Sequence, residues 1–454
     1  MRIKLGIPLP LSNIAAAIKS KKQYSKDPII EYLSTDSREI FEGDLFVPIK
    51  GTNFNGENFV DEAIKKGALA ISKYDPKAAI ITNKNETLLL DLASFYIKKL
   101  PYLLYKIGIT GSVGKTTTKE FAKKILSIGY RVHASEANLN NQIGMPLSIL
   151  SAPKDTQVLL MEMGMNHSGE IGALSKCLCP DLAVITNIGS SHIGNLGSKE
   201  GIAKAKLEIL EGIKDGRLYV LDEEELLRDA KYRVCISLKN PAAEFYLKEN
   251  AGRVAIYKNG IKQLETNFAF CEEHHLKCLL FASAIAIDTG LQIDLISKGI
   301  SSISNDSIRQ KDVFVKKYHI IDDSYNSSLE SVIASINSLK KRFPNKRKSL
   351  LLGDVLELGK FSREYHRKIG EAIPPDMFCN LFLWGRYADE IACGAVENGF
   401  AAERIHINHL IDRPDITARQ IEEYCQRDEV ILFKASRAIR LERVIEILKE
   451  KQNE

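Results

Sequence analysis

The 454-residue chain has no run of about 18 uninterrupted apolar residues, which excludes a helix that crosses a bilayer. Cysteine is sparse: eight in the whole length, none spaced as paired CxxC knuckles, so neither a disulfide framework nor a zinc ribbon is expected. Reduced thiols in a cytoplasm are the simpler reading. Charge of one sign is scarce too, because 63 Lys and Arg against 58 Asp and Glu leave +5, too little to imply a polyanionic partner. The one dense basic run, Lys340 to Lys348, is interrupted by Phe343, Pro344 and Asn345 and reads as a solvated helix end rather than a nucleic-acid patch. There is no short-period repeat and no low-complexity segment.

What is present is the composition of a soluble globular protein, 44% apolar and 27% charged, at a length that suits two or three domains. The opening MRIKLGIPLPLSNIAAAIKS imitates a signal peptide, but Pro8 and Pro10 break its apolar run and Ser12 reads as the cap of a short helix, so a cytoplasmic location is expected. From about Ile107 apolar, β-rich runs alternate with amphipathic stretches: KIGIT, VLLMEMG and LAVITNIG each precede a helical pattern. A second such series begins near His319. Alternation of this kind predicts parallel sheets covered on both faces. The first hundred residues differ, with short strands and turns before a helix around Val60 to Lys66, so three domains are expected, the last two joined through a polar stretch around Ser301 to Asp312.

The strongest local signal is GITGSVGKTTTKE, Gly108 to Glu120, between a predicted strand and a predicted helix. Glycines let a loop of Gly111, Ser112, Val113 and Gly114 turn its amides toward phosphate oxygens. Lys115 adds charge near the β and γ phosphates, and Thr116, followed by Thr117, offers a hydroxyl to Mg²⁺. Ile109 stands where the strict GxxxxGK[ST] pattern needs glycine, so this is the TGxxGKTT variant. Glu162 closes an apolar strand about 45 residues later, where a carboxylate would meet the metal, and His192 in NIGSSHIGNLGS is delivered to the same sheet edge.

Together with STDSREIFEGDLFVPIKG, NLNNQIGMPLSIL, IIDDSYNSSLESV, LLGDVLELG and VILFKASR, these segments resemble, in order and over nearly the full chain, the Mur ligase family of ATP-dependent amide-forming enzymes of peptidoglycan synthesis. The resemblance implies an α/β fold of three domains: a small mixed UDP-sugar-binding domain at 1–104, a central P-loop parallel-sheet ATPase domain at 105–308, and a Rossmann-like C-terminal domain at 309–454. It implies ATP and two Mg²⁺ ions, with Thr116, Glu162, His192 and a carbamoylated Lys206 as metal ligands and Lys115 on the transferred phosphate. Asn141, Arg309, Asp323, Tyr325 and Asn326 would contact the nucleotide. Asn138 and Asn140 would approach substrate. Ser34, Thr35, Asp36, Ser37 and Arg38 would hold the uridine diphosphate, and Lys434, Ser436 and Arg437 would help form the acceptor side.

Within the family the match implies the branch that adds D-alanyl-D-alanine to a UDP-N-acetylmuramoyl-tripeptide through an acyl phosphate; a monomer with no nucleic-acid partner is expected, although no motif speaks to oligomeric state. The third peptide residue, meso-diaminopimelate or lysine, stays open. A family member adding a single amino acid is the nearest rival, but no DNPR-like acceptor motif is present; a nucleotide-driven switch that makes no bond is the rival of another class. The chain departs from the family pattern where a YNANP-like run reads Tyr325, Asn326, Ser327, Ser328, Leu329, and at three further positions. Glu57 replaces a histidine and would put a like charge near the pyrophosphate, Cys278 stands where an asparagine faces adenine, and Ala435 replaces a glycine. The spacing of Cys271, His274, His275 and Cys278 invites a zinc reading, but ligands along one helix face make poor tetrahedral geometry.

Overall fold

The computed structural model describes residues 1–22, 25–51, 54–83, 87–136, 138–304, 310–315 and 317–450. It contains three sheets, each built on its own stretch of chain, so the fold is α/β as the alternation of strands and helices predicts.

The first sheet has six strands, in the order Arg2–Pro10, Ile29–Ser34, Leu45–Phe46, Leu69–Ser72, Ile80–Ile81, Lys21–Lys22. Its short helices include Leu11–Ala17, in which Ser12 lies inside the first turn; Pro10 is the cap, and Ser12 bonds to Asp27 through both its amide and its hydroxyl. Helix Leu88–Ile97 carries this unit onto the next one. Seven of its ten residues are buried, the Tyr96 hydroxyl donates to Ala152 O at 2.7 Å, and Ser94 donates to Cys177 O at 3.0 Å. Gly6 is required at the same junction, since a Cβ there would lie 1.9 Å from Ala152 O.

The second sheet has nine strands, ordered Ile261–Asn267, Arg253–Lys258, Phe245–Asn250, Arg233–Ser237, Arg217–Leu221, Leu182–Ile185, Tyr105–Thr110, Val158–Glu162, Val132–Ala134. Seven run parallel, from Val132–Ala134 through Phe245–Asn250, and their central members are buried along their full length because helices cover both faces. The last two strands are antiparallel, an extension the sequence reading did not anticipate. Two tight turns produce it, at Ala251-Gly252 and Asn259-Gly260, and all four residues have positive φ.

In the third sheet the order is Lys311–Val315, Tyr318–Asp322, Glu429–Lys434, Lys348–Gly353, Leu381–Trp384, Ile405–Asn408, parallel except for the first strand. The basic run proves heterogeneous: Lys340, Lys341 and Arg342 form the last turn of helix Leu329–Arg342, where cations meet the negative helix end, whereas Lys348 is buried and donates to Phe343 O and Lys346 O at 2.6 Å each. Ala435 is fully buried against Gly353, where a Cβ would lie 2.8 Å from the alanine methyl; Gly353 therefore makes the room that Ala435 fills.

Candidate active site

Parallel strands end on the same side, so the loops after Thr110, Glu162 and Ile185 converge at one edge of the central sheet. The first is the phosphate loop. Gly111 has φ 145° and no space for a side chain, since a Cβ would lie 1.9 Å from the Thr186 hydroxyl; Gly114 has φ 86° and opens helix Lys115–Leu126. Asn187 fixes the loop from beside, its Oδ1 accepting from the amides of Ser112 at 3.1 Å and Val113 at 2.9 Å. Thr186 donates to Val113 O at 2.6 Å. Lys115 folds over the loop and donates to Gly111 O at 2.7 Å.

Glu162, 1% exposed, accepts from the Thr116 hydroxyl at 2.6 Å and from Asn140 Nδ2 at 2.8 Å, so two other sequence candidates meet on its carboxylate. Lys206, on helix Lys199–Leu207, is 2% exposed, whereas Lys204 on the same helix is exposed. Burial, and after it the nearby Lys115 ammonium, push the Lys206 amine well below its ordinary range. His192, in a left-handed conformation at φ 64°, instead faces the C-terminal unit: its Nδ1 lies 2.5 Å from Glu357 Oε2.

A cavity of about 830 Å³ lies between the central and C-terminal units. Ser112 to Thr117 line one side and Asp323, Tyr325, Asn326 and Lys434 the other. Lys434 was expected on the acceptor side, yet it is 2% exposed beneath this cavity, paired with Asp323 Oδ2 at 2.8 Å and donating to Asn326 O at 3.1 Å. Ser335 and Gln310, which the sequence reading missed, also donate to Asp323 Oδ2. His274 lines the cavity as well; burial, then the adjacent His275, lower it to about 3, so the ring is neutral. Cys278 sits under the phosphate loop with its Sγ 3.7 Å from Gly114 O, and burial pushes its thiol up to about 11.

Other candidates lie elsewhere. Asn141 Oδ1 accepts from the amides of Ile143 and Gly144, ending a turn, and Asn138 is exposed; neither lines the cavity. Ser436 accepts from Leu356 N at 2.9 Å, and Arg437 lies 3.5 Å from Glu442 of its own unit. Ser34, Thr35, Asp36, Ser37 and Arg38 form a separate cluster after strand Ile29–Ser34, where Asp36 accepts from the Arg38 amide and guanidinium, a contact that holds its carboxyl well below the usual range. Glu57 is turned onto Ser72 Oγ at 2.8 Å and Lys73 N at 3.0 Å, so its carboxylate staples a strand end. Arg309 lies outside the described residues. Cys271 precedes helix Glu273–Asp288, and among the described residues no group of three or more His, Cys, Asp and Glu side chains is placed to hold a metal.

The donor set suits Mg²⁺, because one carboxylate and one hydroxyl are too few for a closed protein cage but match an ion that takes its remaining oxygens from phosphates and water. The loop carrying Glu357 has its own anchor. His366, fully buried, accepts from Val355 N at 2.9 Å through Nε2 and lies 2.6 Å from Ser362 O through Nδ1, the arrangement of a neutral ring; burial lowers its pKa. With the folded pKa below the unfolded value of about 6.5, this stabilisation is present above that pH and lost as pH falls through the folded pKa. The melting temperature is therefore expected to drop more steeply from pH 7.5 to 5 in the native protein than in His366→Gln, measured by thermal denaturation at each pH. Parallel slopes would contradict it.

Comparison with known proteins agrees with this layout. Residues 29–95 match the family model for the Mur ligase family catalytic domain, 109–286 the Mur ligase middle domain, and 309–437 the Mur ligase glutamate ligase domain. The chain is 34% identical to UDP-N-acetylmuramoyl-tripeptide--D-alanyl-D-alanine ligase of Bacillus subtilis (strain 168), over 97% of this chain and 98% of that one. Among solved structures, MurF from Acinetobacter baumannii superposes with a TM-score of 0.88 at 26% identity, covering 99% and 100% of the two chains. MurF ligase from Thermotoga maritima in complex with ADP gives 0.80 at 27% identity, covering 93% and 97%.

Proposed function

The chain belongs to the Mur ligase family, and from that premise we propose that it joins D-alanyl-D-alanine to a UDP-N-acetylmuramoyl-tripeptide at the cost of one ATP, in three domains spanning 1–104, 105–308 and 309–454. The observation that carries this reading is the cavity itself, in which the phosphate loop of one unit faces Asp323, Asn326 and Lys434 of the next. A nucleotide there would be enclosed by two domains, and closure excludes the water that would hydrolyse an activated acyl group.

An amide does not form from a carboxylate and an amine in water without activation. The donor carboxylate attacks the γ-phosphorus, ADP leaves, and the acyl phosphate that results is attacked by the free amine of the dipeptide; a tetrahedral intermediate then expels phosphate. Lys115 would swing from Gly111 O to the transferred phosphoryl group. Thr116 and Glu162, with His192 and Lys206 as a carbamate, would hold two Mg²⁺ ions, which supply charge neutralisation for the phosphates. The chemistry of Lys206 favours that form: its buried amine has a cation for a neighbour, and conversion to an anion would turn repulsion into attraction. A cytoplasmic setting suits the eight unpaired cysteines.

Phosphate release measured with each substrate omitted in turn tests the reading. Release is expected only with ATP, donor and acceptor together, and D-alanyl-D-alanine is expected to exceed D-alanine as acceptor by more than about 100-fold, because its second residue supplies binding energy that positions the amine. Equal rates with the two acceptors would assign the chain to a single-amino-acid branch. Release without donor and acceptor would make it a nucleotide-driven switch.

A further inference from the structure

We propose that Glu330 is a positioning residue through which the C-terminal domain sets the geometry of the phosphate loop. Glu330 lies in the first turn of helix Leu329–Arg342, behind the Ser328 cap, whose reciprocal bonds with Ser331 fix the helix start. Its carboxylate crosses to the central domain and takes two bonds from one residue: Oε1 from Ser190 N and Oε2 from Ser190 Oγ, each at 2.9 Å. Gly189 makes the approach possible, since a Cβ there would lie 3.0 Å from the Glu330 carboxyl carbon.

Ser190 sits in the segment that braces the phosphate loop. On one side of it, Gly189 N donates to Ser112 Oγ at 2.9 Å and Asn187 holds the Ser112 and Val113 amides; on the other, Ser191 Oγ donates to Ser112 O at 3.4 Å. Every one of these contacts lies within three residues of Ser190. A carboxylate that reaches them from the other domain ties the placement of the phosphoryl-binding amides to domain closure. Two hydrogen bonds from one residue also define a direction, which a single contact does not.

The inference rests on the ligase reading above, and the substrate-omission assay on the native protein tests that reading separately. Glu330→Ala is expected to lower kcat about 30-fold while the KM for the UDP-linked donor, held by the N-terminal domain, changes less than about 2-fold. Glu330→Gln is expected to recover most of the rate, because its amide can accept from Ser190 N and donate to Ser190 Oγ. In the double variant Glu330→Ala/Ser190→Ala the two losses are expected not to multiply. A Glu330→Ala rate within about 2-fold of native, or losses that multiply, would overturn the proposal. So would a Glu330→Gln enzyme as slow as Glu330→Ala, which would assign the effect to charge. Thermal denaturation of each variant identifies a loss due to misfolding. If Glu330→Ala fails to fold, the Glu330→Gln rate and the cycle of Ser190→Ala with Glu330→Gln decide the matter alone.

Discussion

Replacing Lys206 with alanine is expected to cut ligation more than about 1,000-fold, equivalent to about 4 kcal/mol of transition-state stabilisation. Small carboxylic acids such as formate or acetate should restore part of it. An ammonium at this position would repel the ions that Glu162 is proposed to hold, so the residue could serve such a site only once its charge is inverted. Burial and Lys115 together disfavour the ammonium, leaving a neutral amine able to react with CO₂. Lys204→Ala, two positions away and exposed, is expected to stay within about 2-fold of native. A carbamate carbonyl resonance on addition of ¹³C-bicarbonate, present in the native protein and absent in Lys206→Ala, gives a readout independent of turnover. A fully active Lys206→Ala protein with no such resonance in the native one would reduce Lys206 to a packing residue.

Lys115→Ala is expected to abolish measurable ligation and leave the fold intact. The side chain donates to carbonyls of its own loop, Gly111 O and Ser112 O, and is only half-buried, so its removal opens no core cavity. The transferred phosphoryl group would lose the cation proposed to hold it at the moment charge spreads over the equatorial oxygens. Activity within about 10-fold of native, about 1.4 kcal/mol, would contradict the role. Coincident melting curves for the two proteins would separate loss of chemistry from loss of structure.

The α/β class and the setting of the phosphate loop were legible in the sequence because their determinants are local: TGSVGKTTTKE carries its strand, its turn and its helix start within a few residues. The antiparallel extension was legible in principle, through Asn259-Gly260 between the alternating runs RVAIYK and IKQLETN, but the neighbouring parallel pattern dominated the reading. Contacts between distant segments were not legible. Glu330 and Ser190 are 140 residues apart, Ser112 and Asn187 75, and no period or motif announces that they touch. Lys434 shows the same limit: its segment was recognisable, yet only the parallel pairing of Tyr318–Asp322 with Glu429–Lys434 sets it beside Asp323. Glu57 shows a related limit, since charge alone says nothing of the direction in which a carboxylate points, and only the structure shows it accepting from Ser72 and Lys73.

The spread of the eight unpaired thiols, from sealed to open, amounts to a built-in labelling map. Cys278 borders the cavity between the central and C-terminal units yet is packed under the phosphate loop as a protonated thiol, so maleimides should pass it by. Cys393 is the exposed one, on helix Ala388–Glu397 of the C-terminal sheet's outer layer. A single dye there, on a helix that contributes no residue to the cavity, would turn the natural protein into its own fluorescent gauge of any movement between the C-terminal and central units.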